Sequence, residues 1–321
     1  MFFKGRKRNH FHDRRKRLFA AWPKGFASPK SGPRVVGAMK IVHFATIDST
    51  NAEALRLLES AGQKDAAALR GLDQTVIAAD EQSAGRGRLK RAFYSPAKTG
   101  VYFTAIYVPS KNIEEPALLT ASAAVAVCRS LKEFFGADAK IKWVNDVYVA
   151  GKKVCGILAE GHLGPDGKID AAAIGIGINI YPSDFPAEIA GRAGSVLPDN
   201  SSQAQESGVM SFPRVTRESF AQKDVRVKPE HDTLPLNLAR DVSQKLFDIL
   251  SNDSKIRAAL DEYAALSFIV GKTITVLPVI GDDNSAYAAT VLGIDKKARL
   301  LVRLNDGSER ALSSGEISIK I

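Results

Sequence analysis

Two apolar runs, residues 75–79 and 101–107, bracket a loop in which glycine alternates with arginine: Gly85-Arg86-Gly87-Arg88, then Leu89, Lys90 and Arg91. Both runs read as buried strands. The loop between them must therefore sit at one end of a sheet. Its glycines let the backbone bend closely around a ligand. Its arginines carry forked donors that match phosphate or carboxylate oxygens. This pattern predicts an anion-binding loop held by a rigid scaffold, although a solvated basic turn would look similar in isolation.

Two further segments narrow the reading. Lys142-Trp143-Val144-Asn145-Asp146 leads into a hairpin around 150–152 and a strand carrying Lys153, Cys155, Gly156 and Glu160. Trp, Asn, Asp and Lys are thereby gathered at one hairpin end. In the run 173–180, Gly175 and Gly177 fall on one strand face, where glycine suggests close approach of a ligand or another backbone.

Charge is distributed unevenly. Of 45 Lys and Arg and 35 Asp and Glu, residues 1–38 hold 11 and one, leaving 34 of each in the rest. The formal charge of +10 therefore belongs to the N-terminal arm and says nothing about what the body binds. The arm lacks apolar periodicity. It fits a disordered extension, a nucleic-acid-binding arm, a transit segment, or translation from upstream of a true start at Met39. Two cysteines, Cys128 and Cys155, make no disulfide framework and suit a reducing compartment. No apolar run is long enough to span a bilayer.

The pattern predicts a strand at 40–46, a helix from Thr50 to about Ser60, a long Ala-rich helix at 116–135 and a strand at 169–180. Thr50 and Glu53 have capping-box spacing. Helices follow at 236–250 and 255–266, then short strands at 273–277, 287–294, 299–304 and 316–320. The stretch 198–233, rich in Ser, Gln and charge, is too long for an ordinary loop and reads as a flexible insertion.

The Gly-Arg-Gly-Arg loop, the Lys-Trp-x-Asn-Asp hairpin with Lys153, the Gly-x-Gly-x-Asn strand and Ser49-Thr50-Asn51 together resemble the biotin–protein ligase family. Gly315-Glu316-Ile317-Ser318 is similar to that family's C-terminal signature. The resemblance runs from about residue 40 to the C-terminus, apart from the insertion. It implies an α+β fold: a mixed β-sheet flanked by helices, like the catalytic domain of class II aminoacyl-tRNA synthetases, with a small C-terminal SH3-like β-barrel. The expected units are an extension at 1–38, a catalytic domain at 39–267 and the barrel at 268–321. Residues 1–38 are too short for the DNA-binding winged helix that some members carry, so a repressor role is not expected.

The resemblance further implies ATP-dependent ligation of biotin to a lysine of a biotin carboxyl carrier domain, from acetyl-CoA carboxylase or a related carboxylase, through biotinyl-5′-AMP. Lipoate–protein ligation is the alternative. Lys153 and Arg88 are the expected catalytic cations. Ser49, Thr50, Asn51, Gln82, Gly85, Arg86, Arg88, Lys153, Gly156 and Gly175 are expected around biotin, with the glycines making room for its bicyclic ring. Arg88, Arg91, Trp143, Asn145, Asp146, Lys153 and Asn179 are expected around ATP, with Asp146 helping to hold Mg2+. Trp143 could equally be a core residue. The loop at 85–93 is expected to be mobile until ligand anions order it. The expected protein is cytoplasmic, a monomer or homodimer, with neither membrane nor nucleic acid as a partner. Four departures stand out: Leu89 and Lys90 replace the family's usual Arg and Gly, Phe93 replaces a Trp, and Val144 replaces a Pro.

Overall fold

A computed structural model describes residues 34–36, 39–198, 234–277, 286–313 and 316–318. Residues 1–33 of the basic arm and 199–233 of the insertion lie outside the described residues, and so do the expectations made for them.

The central sheet has eight strands in the order β1-β2-β3-β4-β8-β7-β6-β5. They are β1 (Arg34–Val36), β2 (Met39–Ile47), β3 (Thr75–Gln82), β4 (Gly100–Tyr107), β5 (Lys140–Lys142), β6 (Asp146–Val149), β7 (Lys152–Leu163) and β8 (Ile169–Asn179). Only β2 and β3 pair in parallel; every other neighbour is antiparallel. The sheet starts upstream of Met39, because Arg34–Val36 forms an edge strand on β2.

Side-chain alternation along the strands divides the core in two. Met39, Ile41, Val76 and Ala78 point to one face, whereas Val42, Phe44, Ile77 and Ala79 point to the other. Helix α1 (Thr50–Gly62) and the short α2 (Ala66–Arg70) cover the second face. The first face is covered by α3 (Ala117–Phe135), with α5 (Leu234–Ile249) and α6 (Asp253–Leu266) packed against it; the short α4 (Ala187–Ala190) lies at the surface. Small residues dominate α3, so it is buried on almost every side, as a helix between two layers must be. It ends at Gly136, in the left-handed region at φ 65°, whose N–H bonds the Lys132 carbonyl at 2.9 Å. No helix among the described residues is long and apolar enough to cross a membrane.

Helix α1 corrects one expectation. Its N-cap is Ser49, whose Oγ accepts from Ala52 N at 3.4 Å; Thr50 already lies inside the helix. Glu53 is buried and pairs with Arg56 at 2.5 Å, so no capping box forms. Thr50 is thereby released for other contacts.

The chain ends in a five-stranded antiparallel sheet ordered β12-β11-β10-β9-β13: β9 (Thr273–Leu277), β10 (Tyr287–Ile294), β11 (Leu300–Leu304), β12 (Glu309–Leu312) and β13 (Glu316–Ser318). The short β12 follows the Asn305–Asp306–Gly307 turn and gives no apolar signal in the sequence. Ile274, Val276, Val291, Leu300 and Val302 are buried in one cluster with the first face of the large sheet.

Candidate active site

A cleft of about 640 Å³ opens beside the start of α1, at the sheet end carrying the Gly-Arg loop. Its floor is built in rows set by strand register. Tyr102, Gly177 and Gly156 are successive partners across β4, β8 and β7. The next row is Thr104, Gly175 and Leu158; the row after it ends at Glu160, opposite Ala173.

The glycines of these rows have a definite steric purpose. The ring of Phe93 lies over the first row, and a Cβ on Gly177 or Gly156 would come within 2.4 or 2.9 Å of it. Asn51 lies over the second row, where a Cβ on Gly175 would approach its Oδ1 to 2.0 Å. A Cβ on Gly85 would meet the Phe93 carbonyl at 2.4 Å. In this structure the room that Gly85, Gly156 and Gly175 leave is taken by Phe93, Ser95 and Asn51 of the chain itself. Phe93 also meets the Tyr102 ring edge-on, with centroids 6.4 Å apart.

Neutral polar groups frame the cleft. Gln82 Oε1 accepts from Thr50 N at 2.8 Å and from Thr50 Oγ1 at 3.1 Å; Gln82 Nε2 donates to Ser95 Oγ at 2.9 Å. Thr104 Oγ1 donates to Asn51 Oδ1 at 2.7 Å. Asn51 Nδ2 donates to the Leu158 carbonyl at 3.1 Å and to Glu160 Oε2 at 2.8 Å. Ser49, Thr50, Asn51 and Thr104 are all buried. Burial is tolerable because each finds a partner. Thr104, Ser95 and Glu160 were not among the expected site residues, yet a threonine inside one apolar strand and a glutamate inside another were visible signals.

Cations enter from two sides. The Gly-Arg loop folds on itself: Arg86 and Ala92 form an antiparallel bridge, Gly87 N bonds Arg91 O at 2.8 Å, and Phe93 N bonds Gly85 O at 2.8 Å. The loop, expected to be mobile until ligand anions order it, thus has internal backbone bonds in the ligand-free structure. Leu89 and Lys90 take φ of 55° and 60°, the left-handed region that glycine adopts most readily. Arg86 donates to Glu160 at 2.8 Å, and Arg88 reaches Asn145 Oδ1 at 3.3 Å.

From the opposite side, Ala150 and Gly151 have φ of 48° and 74°. Two positive values in succession fit the tight hairpin that joins β6 to β7. This register brings Lys153 beside Asp146, with Nζ 2.6 Å from Oδ1. Asn145 is fixed by bonds from its Nδ2 to Ile157 O at 2.9 Å and from Ile157 N to its own carbonyl at 3.0 Å. Lys152 points outward and donates to Gly191 O, as its exposed place in the hairpin suggested.

Trp143 lines the cleft and is buried, with Nε1 donating to Ala298 O at 2.9 Å in the C-terminal sheet. Asn179 donates to Gly194 O at 3.1 Å. Arg91 and Asn179 line the same cleft, so all fifteen expected positions except Gly85 border it directly; Gly85 is buried at the start of the loop. Phe268, Leu277 and Ile317 complete the wall from the C-terminal part. Nothing local in the sequence predicts that.

Residues 47–179 match the profile of the Biotin/lipoate A/B protein ligase family, and residues 270–320 match that of the biotin protein ligase C-terminal domain. The chain belongs to this ligase family. A curated relative from Bacillus subtilis, the bifunctional ligase/repressor BirA, is 30% identical over 242 residues, covering 75% of this chain and 65% of the relative. The biotin–[acetyl-CoA-carboxylase] ligase of Paracoccus denitrificans is 39% identical over 138 residues, covering 42% of this chain and 52% of the relative. The chain thus spans from about half to just under two thirds of these relatives. The biotin protein ligase of Aquifex aeolicus, solved in complex with biotin and ATP, superposes with a TM-score of 0.61 at 22% identity, over 87% of this chain and 98% of that one. The likeness extends the family's fold, a mixed sheet with a small C-terminal β domain, to this chain.

Proposed function

We propose that the protein ligates biotin to a lysine of a biotin carboxyl carrier domain, using ATP. The observation that carries this reading is the convergence of Arg86, Arg88 and Lys153 on a cleft framed by buried neutral polar groups. A ligand with a neutral polar head and an anionic tail needs both. Unpaired, its buried polar atoms would cost more than they gain.

In the first step an oxygen of the biotin carboxylate attacks the α-phosphorus of ATP. The bond from that phosphorus to the bridging oxygen breaks, pyrophosphate leaves, and biotinyl-5′-AMP remains. Two anions must meet, and fixed cations lower the barrier by stabilising the charge that spreads over the phosphoryl oxygens. Lys153 and Arg88, held beside the neighbouring Asp146 and Asn145, supply that charge, while Arg91 faces the phosphates. Asp146 keeps the Lys153 ammonium directed into the cleft.

Thr50, Gln82 and Ser49 meet the ureido ring or the carboxylate; Trp143, Asn145 and Asn179 border the nucleotide. In the second step the carrier lysine's neutral amine attacks the acyl carbon, the acyl–phosphate oxygen bond breaks, and AMP leaves as the amine loses its proton. The acceptor is a carrier domain of acetyl-CoA carboxylase or a related enzyme.

Among the described residues no three His, Cys, Asp or Glu side chains cluster as a metal site. A magnesium ion fits here only as part of the nucleotide complex, with Asp146 adding one carboxylate to phosphate and water oxygens. It would offset phosphate charge.

The test is direct. Purified protein, biotin, ATP and magnesium are mixed with a biotin carrier domain, and acceptor mass is followed. Gain of one biotinyl group is expected. Transfer of lipoate to a lipoyl domain, with no transfer of biotin, would overturn the assignment.

A further inference from the structure

Glu160 lies in the last third of β7, on the strand face that carries Gly156 and Leu158, one row beyond the Gly175–Leu158 row of the cleft floor. Its two carboxylate oxygens do different things. Oε1 accepts from Arg86 of the loop at 2.8 Å; Oε2 accepts from Asn51 of α1, also at 2.8 Å. One side chain thus ties the loop, the helix start and the sheet together.

We propose that Glu160 is a positioning residue for biotin binding, acting through Arg86. The proposal rests on the reading of the cleft given above. In the ligand-free protein Arg86 needs an anion. Glu160 supplies one at the sheet, so the first limb of the loop is already laid over the floor when biotin arrives. The remaining limb is held by backbone bonds between Gly87 and Arg91 and between Phe93 and Gly85. Among the described residues, Glu160 is the carboxylate that pairs with Arg86.

The pair is half-exposed at Arg86 and much less so at Glu160, with side-chain exposures of 44% and 22%. An isolated surface pair of this kind would add little to stability. Its effect is therefore expected in ligand binding rather than in folding. Preorganising a loop raises affinity by removing the cost of ordering it on binding.

Glu160→Gln separates the two contacts. The amide keeps an oxygen that can accept from Asn51, but loses the charge facing Arg86. Its KM for biotin should rise about three- to tenfold, with kcat within about twofold of the parent and an unchanged melting temperature. In an Arg86→Ala background the same substitution should add less than about twofold, because the partner it acts through is gone. An unchanged biotin KM in Glu160→Gln, or an equal loss with and without Arg86, would overturn the proposal. Arg86→Ala tests the pair from the other side without any ligand: tryptic cleavage after Lys90 should accelerate at least about threefold. Unchanged cleavage would overturn it too. Should the parent protein transfer no biotin at all, the functional reading would fall, while ligand-free proteolysis would still decide whether Glu160 and Arg86 hold the loop.

Discussion

Lys153 Nζ lies 2.6 Å from Asp146 Oδ1, across the hairpin that Ala150 and Gly151 close. The lysine's backbone is fixed independently of its side chain, since its N–H bonds Arg192 O and its carbonyl accepts from Gly194 N, both at 2.9 Å. Truncating the side chain should therefore spare the fold. Lys153→Ala should slow adenylate formation about a hundredfold, or about 3 kcal/mol in the barrier, as expected for one preorganised charge contact. Single-turnover release of pyrophosphate measures this step. A near-normal rate would show that the ammonium does not face the reacting atoms.

Arg88 crosses the cleft from the loop to Asn145. Losing it should weaken retention of the adenylate more than its formation. Arg88→Gly should release biotinyl-5′-AMP into solution, where it acylates lysines of bystander proteins. Filter retention of labelled adenylate, together with biotin blotting of an added inert protein, gives the readout. Retention as long as in the parent protein would contradict this.

Gly175 makes a steric prediction. A methyl group there would sit 2.0 Å from Asn51 Oδ1, an impossible approach. Either Asn51 leaves its bonds to Thr104 and Glu160, or the strands shift. Gly175→Ala should cost about 1–3 kcal/mol of stability, the range for overpacking, and raise the biotin KM more than the ATP KM. Denaturant unfolding and initial rates check the two parts separately.

Burial pushes the Cys128 thiol up to about 12, and the Cys155 thiol well above its ordinary value. Both residues are buried. At neutral pH almost no thiolate forms, and thiolate is the reactive species. A maleimide should label neither cysteine in the native protein at pH 7 and both after denaturation; mass spectrometry counts the adducts. Rapid labelling of native Cys155, which borders the cleft, would mean that the cleft opens far more widely than this structure shows.

What the sequence made legible was mostly local. Continuous apolar runs identified β3, β4 and β8, and turn chemistry identified the hairpin at Ala150 and Gly151. The cations and amides of the cleft were recognisable by motif. The purposes of the glycines were not, because they depend on which side chain crosses each row: Phe93 over Gly156 and Gly177, Asn51 over Gly175. Likewise the capping-box spacing of Thr50 and Glu53 was misleading. Glu53 is drawn into a buried pair with Arg56, and Thr50 is spent on Gln82. The short β12 escaped notice because Glu309 and Arg310 interrupt any apolar pattern. Contacts over more than a hundred residues, such as Asn51 with Glu160, leave no periodic trace.

The bond from Trp143 to Ala298 joins segments that match two separate profiles. Ala298 is buried and left-handed, at φ 60°, which aims its carbonyl at the indole. The C-terminal sheet is therefore no detachable appendage: it closes one wall of the cleft. A chimaera taking this sheet from another member of the family would inherit a working pocket only if the donor's β10–β11 turn offered a carbonyl at the same spot. Otherwise a buried indole N–H would be stranded. Modular in sequence, the two parts are a single object at the cleft.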